Sequence, residues 1–168
     1  MGARVMMMGV VLVTAVLLET VVGPALSVGP WRPAIVVLTV VGFAFAGGPG
    51  TGVRYGAAAG LAVDLVGDTL IGPNLLVLAL VGYAVGALRP YLPEDSPVPR
   101  WGVAGAAAAG SLIASTALQR LLGLQQGTGL SIVQGALVIG ILDAMIAPLA
   151  LRPLASLARR FAPAPVPG

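Results

Sequence analysis

Three aspartates lie in or beside otherwise apolar segments of the chain, and their carboxylates are the groups best suited to chemistry. Asp64 and Asp68 stand one helical turn apart, and Asp143 belongs to a separate apolar segment. Such a carboxylate can hydrogen-bond to a neighbouring helix, relay protons or bind a coupling ion, or line a substrate cavity. Hydrogen bonding between helices is favoured for Asp64 and Asp143, because no intramembrane histidine, base or cation accompanies them.

Two further polar residues are candidates for lining a pocket or contacting a partner. Asn74 follows the Gly72-Pro73 break, where we expect it to be the N-cap of the next helix. The alternative is a broken helix that presents backbone groups to a ligand. Tyr83 is either a pocket residue or an aromatic anchor at the membrane interface. The candidate partner- or pocket-lining residues are therefore Asp64, Asp68, Asn74, Tyr83 and Asp143.

Small residues recur every four positions beside these polar groups. Gly56, Gly60 and Asp64 share this spacing, and Gly82 and Gly86 repeat it in the following segment. Residues four apart lie on one face of a helix, and small side chains let two helices approach closely in lipid. We therefore expect these four glycines to be helix-packing residues. Asp64, on the same face, should point into protein because contact with lipid is unfavourable.

The composition is that of an integral membrane protein. Hydrophobic residues make up 58% of the chain, charged residues only 9%, and the mean hydropathy is +1.00. Soluble domains carry roughly a quarter charged residues. The absence of cysteine and histidine removes disulfides, thiolate nucleophiles and the usual ligands of zinc or haem. No serine has a histidine partner, so we predict no enzyme, no cofactor and no metal site.

The high isoelectric point, about 10.2, does not indicate nucleic-acid binding. It results from nine arginines, with no lysine, set against six acidic residues. The arginines are scattered near segment ends, with only Arg159 and Arg160 adjacent, instead of forming a basic stripe with aromatic residues between them. Cationic residues at the ends of apolar segments control the topology of a membrane protein. The lipid bilayer is therefore the predicted environment.

Six apolar segments are predicted to cross the membrane as an all-α domain. The first is interpreted as a retained helix in preference to a cleaved signal peptide. The second and third are short, since a spanning helix usually needs about 17–25 residues. We expect one transmembrane domain over residues 1–160 and a disordered proline- and alanine-rich tail over 161–168. The segments comprise about residues 5–22, 34–46, 52–67, 74–92, 101–122 and 130–151.

The arginines predict the orientation of this domain. With six spans and the amino terminus inside, seven arginines lie on the cytoplasmic side and only Arg32 and Arg120 lie outside. An even number of spans also places both termini in the cytoplasm. Counting the helical rise of about 1.5 Å per residue from the flanking arginines places Asp64 and Asp143 near the bilayer midplane.

The stretch from Gly56 to Arg89 resembles the core of MreD, the rod-shape-determining membrane protein family of bacterial cell elongation. The resemblance includes the packing glycines and Asp64 described above, the motif Gly72-Pro73-Asn74-Leu75 and the motif Gly82-Tyr83-x-x-Gly86. The size and the six apolar segments also agree. This specific resemblance covers about a fifth of the chain, and the rest matches in hydropathy alone.

The resemblance implies a non-catalytic scaffold in the bacterial plasma membrane. MreD proteins are partners of MreC, and through it of the MreB filament and of RodA/PBP2-type peptidoglycan synthases. The resemblance also implies the fold of the substrate-binding S components of energy-coupling-factor vitamin transporters, in which Asp64 and Asn74 would lie in the pocket region. Two alternatives stay open: an S-component-like transporter subunit with a water-accessible outer pocket, and a proton-coupled carrier that depends on Asp64.

Overall fold

The protein is all-helical in the residues that its computed structural model describes, which are 2–27, 31–67, 72–92, 98–123 and 129–160. Asp68 and the tail 161–168 lie outside these residues, so the expectations for them stay predictions. A short 3-10 turn, Arg89–Tyr91, extends the third helix. The α-helices are α1 (Gly2–Val21), α2 (Ile35–Val66), α3 (Pro73–Leu88), α4 (Val98–Leu121) and α5 (Gly129–Arg160).

Four of these helices are long and apolar enough to cross a membrane. They are α2, α3 with its 3-10 extension, α4 and α5, and the apolar part of α1, Val5–Val21, is shorter. The count is lower than the six predicted segments for two reasons. The first segment falls short in length, and the second and third are joined within the 32-residue α2.

The long helix α2 folds back on itself at Gly48. This residue has φ 75° and ψ −171°, a backbone conformation that favours glycine. The Tyr55 hydroxyl lies 3.3 Å from Thr39 Oγ1, although a straight helix would separate these residues by about 24 Å. Residues 35–47 and 49–66 are therefore two antiparallel arms, and the break expected between the second and third predicted segments is confirmed.

The second arm of α2 packs backbone to backbone against α3. A Cβ atom added at any of the glycines along this contact would overlap backbone atoms of the opposite helix. Glycine is therefore the residue that permits this approach in an apolar medium. The facing pairs are Gly52 with Gly82, Gly56 with Leu78, Gly60 with Asn74 and Gly86 with Pro49.

The first arm of α2 forms the centre of the bundle. Val36, Leu38, Val40, Val41 and Phe43 on this arm are almost completely buried. Helices α1, α3, α4 and α5 all contact α2, and α4 packs on α5 where Gly105 meets Gly140. Because the two arms are antiparallel, the start and the end of α2 lie at the same end of the hairpin.

Candidate functional site

Asp64 accepts four hydrogen bonds at the start of α3. Its Oδ1 atom accepts from the backbone N of Asn74 at 3.3 Å and from Asn74 Nδ2 at 2.9 Å. Its Oδ2 atom accepts from the backbone N of Gly72 at 2.9 Å and of Leu75 at 3.1 Å. The side chain is 1% exposed. Asp64 thus joins the last turn of α2 to the first turn of α3.

The local sequence explains why a carboxylate is needed there. The first N–H groups of a helix have no partner within it and carry partial positive charge. Pro73 occupies the first helical position, where its missing N–H is not required. The N-cap is Gly72, with φ 131°, and glycine has no side chain that could cap the helix. The Asp64 carboxylate, arriving from α2, fills that role.

The expectation that Asn74 is the N-cap of this helix is wrong. Asn74 lies two residues after the N-cap, which is Gly72 and makes no side-chain capping hydrogen bond. The Asn74 amide instead donates to the Asp64 carboxylate. Proline at the first position moves the helix start upstream of Asn74, and the buried carboxylate attracts the free amide group.

Asp143 and Glu19 act at the start of α2 in a similar way. Both carboxylate oxygens of Asp143 accept from the backbone N of Ala34, at 3.1 and 3.0 Å. Glu19 Oε2 accepts from the backbone N of Val36 at 2.7 Å. Asp143 is 0% exposed. Residues from α1 and α5 therefore hold the first turn of the central helix.

The segment before α2 also enters the bundle. Pro33 is almost completely buried, and the half-buried ring of Trp31 fills the space where Gly135 of α5 lacks a side chain. The N–H groups that follow therefore cannot rely on water. This burial explains why the start of α2 needs hydrogen-bond acceptors from two other helices.

Glu19 holds one of these helix starts but is not among the candidate site residues predicted from the sequence. It stands near the end of the first apolar segment, where it interrupts the apolar run. In the structure Ala15, four residues earlier, is buried, and residues four apart share a helix face. That spacing places Glu19 on the inner face of α1, toward the bundle.

The remaining predicted site residues do not form a single cluster around Asp64. Asn74 contacts Asp64 directly, whereas Asp143 is engaged at the start of another helix. Tyr83 is 53% exposed on α3. Asp68 lies outside the described residues. The candidate site is therefore two separate carboxylate-held helix starts, one at α3 and one at α2.

This arrangement is suited to holding helices together. In the described part of the chain, no buried polar side-chain atom is left without a hydrogen-bond partner. The same residues contain no group of three or more acidic, histidine or cysteine side chains that could hold a metal ion. The carboxylates accept hydrogen bonds from backbone N–H groups, and these bonds stabilise the junctions between helices.

An open groove lies between α3 and α4, away from these junctions. Its walls are formed by aliphatic side chains, with almost no polar atoms among them. It offers contact to acyl chains or apolar helices but no groups for binding a polar substrate. Its lining residues are Leu76, Val77, Leu80, Ala114, Ala117, Leu118 and Leu121.

Comparison with known families decides the assignment. The family model described as the rod shape-determining protein MreD matches residues 2–149. The chain belongs to the MreD family. No curated protein and no solved structure matches it significantly. The MreD match covers α1 to α4 and most of α5, so it includes both carboxylate-held helix starts. It assigns the chain to a membrane family concerned with cell shape.

The residues that carry the MreD resemblance lie along one contact in the structure. They follow the interface between the second arm of α2 and α3, from the Asp64 junction to the hairpin turn. At the turn, Arg89 Nη1 donates to the carbonyl oxygen of Ala46 at 3.4 Å. Both ends of the α2–α3 pair are thus tied by polar side chains, with glycine contacts between them.

Proposed function

We propose that this MreD-family chain is a non-catalytic membrane scaffold of the cell-elongation complex. Its partner is an MreC-like protein, and through it the MreB filament and the RodA/PBP2-type synthases. The observation that supports a scaffold is the use of three carboxylates, of which Asp64 and Asp143 are buried and Glu19 is half-buried. Asp64, Asp143 and Glu19 all accept backbone hydrogen bonds between helices, which favours a fixed bundle over a substrate-binding cavity.

We propose that the bundle crosses the bacterial inner membrane six times as one transmembrane domain. The two arms of α2 supply two spans and α1 supplies another, in addition to α3, α4 and α5. The helical hairpin in α2 supports this count, because antiparallel arms must run in opposite directions across the bilayer. The arginine distribution supports cytoplasmic termini. The same six-helix arrangement would resemble the S-component fold.

We propose that partners dock on the outward helix faces. Large apolar side chains project from α1, α3 and α5, and packing of such faces in lipid depends on shape and on small residues. The carboxylates Asp64 and Asp143 are buried within the bundle. Recognition by apolar helix faces would leave the carboxylate junctions to maintain the shape of those faces.

Affinity purification of the tagged chain in mild detergent tests this proposal. Mass spectrometry should identify an MreC-like protein together with elongation synthases. An Asp64→Asn variant should recover much less partner, because the α2–α3 pair is loosened. A Gly102→Ala variant is the matched control, since an added Cβ there has no atom within 4 Å. It should recover as much partner as the wild type.

Recovery of ATPase subunits and a coupling membrane protein would instead support an S-component-like transporter subunit and overturn the scaffold proposal. That alternative requires polar groups converging on an outer pocket. Asp64 and Asn74, its expected pocket residues, bind each other and the start of α3. The open groove is lined by apolar side chains. These observations favour the scaffold over the transporter subunit.

A further inference from the structure

The start of α2 brings two carboxylates from different helices onto one turn. Asp143 of α5 lies 3.0 Å from the backbone N of Ala34, and Glu19 of α1 lies 2.7 Å from that of Val36. The two donors are separated by two residues, so at most about 7 Å lies between them. The two acidic groups therefore share one small region inside the bundle.

The charges at this turn do not balance if both groups are ionised. A helix start supplies an effective charge of roughly +0.5, against two full negative charges. Two negative charges bound to the same helix turn repel each other, and Pro33 and Val36 are buried, so water screens them poorly. Two carboxylates that interact strongly titrate as a pair, and one of them retains a proton.

Arg32, Asp64 and Tyr55, which are other ionisable residues on the elements packed around this turn, have other positions or partners. Arg32, just before the turn, is exposed. Asp64 is bound to the start of α3, and the Tyr55 hydroxyl donates to Thr39. The remaining charged residues of the helices concerned are Arg4 on α1, Arg54 on α2, Arg89 after α3, Arg100 and Arg120 on α4, and Arg152, Arg159 and Arg160 on α5.

Helix α1 is the element best placed to respond to this pair. It packs on α2, with Ala15 buried on its inner face and Val13 60% exposed on its outer face. Glu19 lies in its last turns, so repulsion from Asp143 acts at one end of α1. Asp143 is fixed by contrast, because α5 packs on both α2 and α4.

We propose that Glu19 and Asp143 share one proton at the start of α2, and that losing this proton as the pH rises loosens α1 from the bundle. The shared proton removes one of the two negative charges while both side chains keep an oxygen for the backbone N–H groups. At low pH α1 is seated. At alkaline pH the second negative charge favours its release.

Infrared spectroscopy of the carboxyl stretch tests the shared proton. Wild-type protein in lipid nanodiscs, at neutral pH, should show a protonated carboxylic acid band that disappears on alkaline titration. The band should be lost in Glu19→Gln and also in Asp143→Asn, because either substitution relieves the repulsion that retains the proton. Gly102→Ala should keep it. Persistence of the band in either amide variant would overturn the proposal.

Cysteine labelling tests the movement of α1, since the chain has no cysteine of its own. Ala15→Cys places a thiol on the buried face, and Val13→Cys on the exposed face corrects for the pH dependence of thiol reactivity. Their labelling ratio should rise with pH by up to about tenfold per pH unit, the limit for one linked proton. In a Glu19→Gln background the ratio should be constant. A ratio independent of pH with Glu19 present would overturn the proposal.

Discussion

The first backbone N–H groups of α3 and of α2 both need acceptors from outside their own helix. The two helix starts obtain these acceptors in different ways. At α3, one carboxylate from the preceding helix accepts four hydrogen bonds, all from residues 72–75. At α2, two carboxylates from α1 and α5 accept from Ala34 and Val36, which lie 109 residues from Asp143 and 17 from Glu19. The first junction is local in sequence, whereas the second assembles the bundle.

This difference indicates different roles for the two junctions. Asp64 uses both oxygens fully, so its junction requires a carboxylate. Each acceptor at the start of α2 serves a single N–H group, so a neutral amide oxygen would suffice there. We infer that the α3 start is a fixed joint of the α2–α3 pair, while the α2 start depends on the seating of neighbouring helices.

The largest expected difference in the free energy of unfolding comes from replacing the aspartate at each junction by asparagine. Asp64→Asn leaves two buried N–H donors facing an NH₂ group, and each unsatisfied donor costs about 1–3 kcal/mol. The free energy of unfolding should fall by about 2–6 kcal/mol. Asp143→Asn keeps one oxygen for Ala34 and should change it by less than about 1 kcal/mol. Denaturant unfolding in mixed micelles, followed by circular dichroism, measures both, and equal losses would remove the distinction.

The next largest changes in stability are expected from alanine substitutions of a glycine at each junction. A methyl group at Gly60 would overlap the backbone of Asn74, which cannot move aside, whereas one at Gly135 meets the ring of Trp31. Gly60→Ala should cost about 1–3 kcal/mol, as overpacking does. Gly135→Ala should cost less, because the half-buried ring can turn outward. Thermal unfolding measures both against Gly102→Ala, which should be neutral or stabilising by up to about 1 kcal/mol.

The smallest expected effect concerns single donors at the α3 start. Asn74→Ala removes one of the four hydrogen bonds to Asp64 and leaves three backbone donors in place. The loss should be about 0.5–1.5 kcal/mol, the net value of one hydrogen bond. The same unfolding measurement applies. A loss as large as that of Asp64→Asn would mean that the Asn74 amide, and not the backbone, holds the junction.

The α2–α3 pair was largely predictable because its determinants are close in sequence. The four-residue spacing of Gly56, Gly60 and Asp64 predicts one helix face, and the structure places that face against α3. The break near Gly48 followed from the cluster of glycines around Pro49. The prediction that Asn74 is the N-cap of α3 was wrong, because N-cap preferences consider only the sequence at the helix start. They do not include an acceptor that comes from another helix.

The start of α2 was not predictable from local patterns. Nothing in the sequence around Ala34 indicates that Asp143 will reach it, since that contact depends on how α5 packs along the first arm. Glu19 reads as an interruption of an apolar segment until α1 is placed beside α2. The number of membrane spans likewise depends on tertiary structure. Only the folded hairpin shows that two short predicted segments are joined at Gly48 within α2.

Hydrogen exchange at the α3 start tests the central claim that Asp64 is a structural joint. Native-state exchange with peptide-level mass spectrometry should find the amides of Gly72, Asn74 and Leu75 protected in the wild type. In Asp64→Asn this protection should fall selectively, while the first arm of α2 stays protected. Rapid exchange in the wild type, or unchanged protection in the variant, would contradict the account.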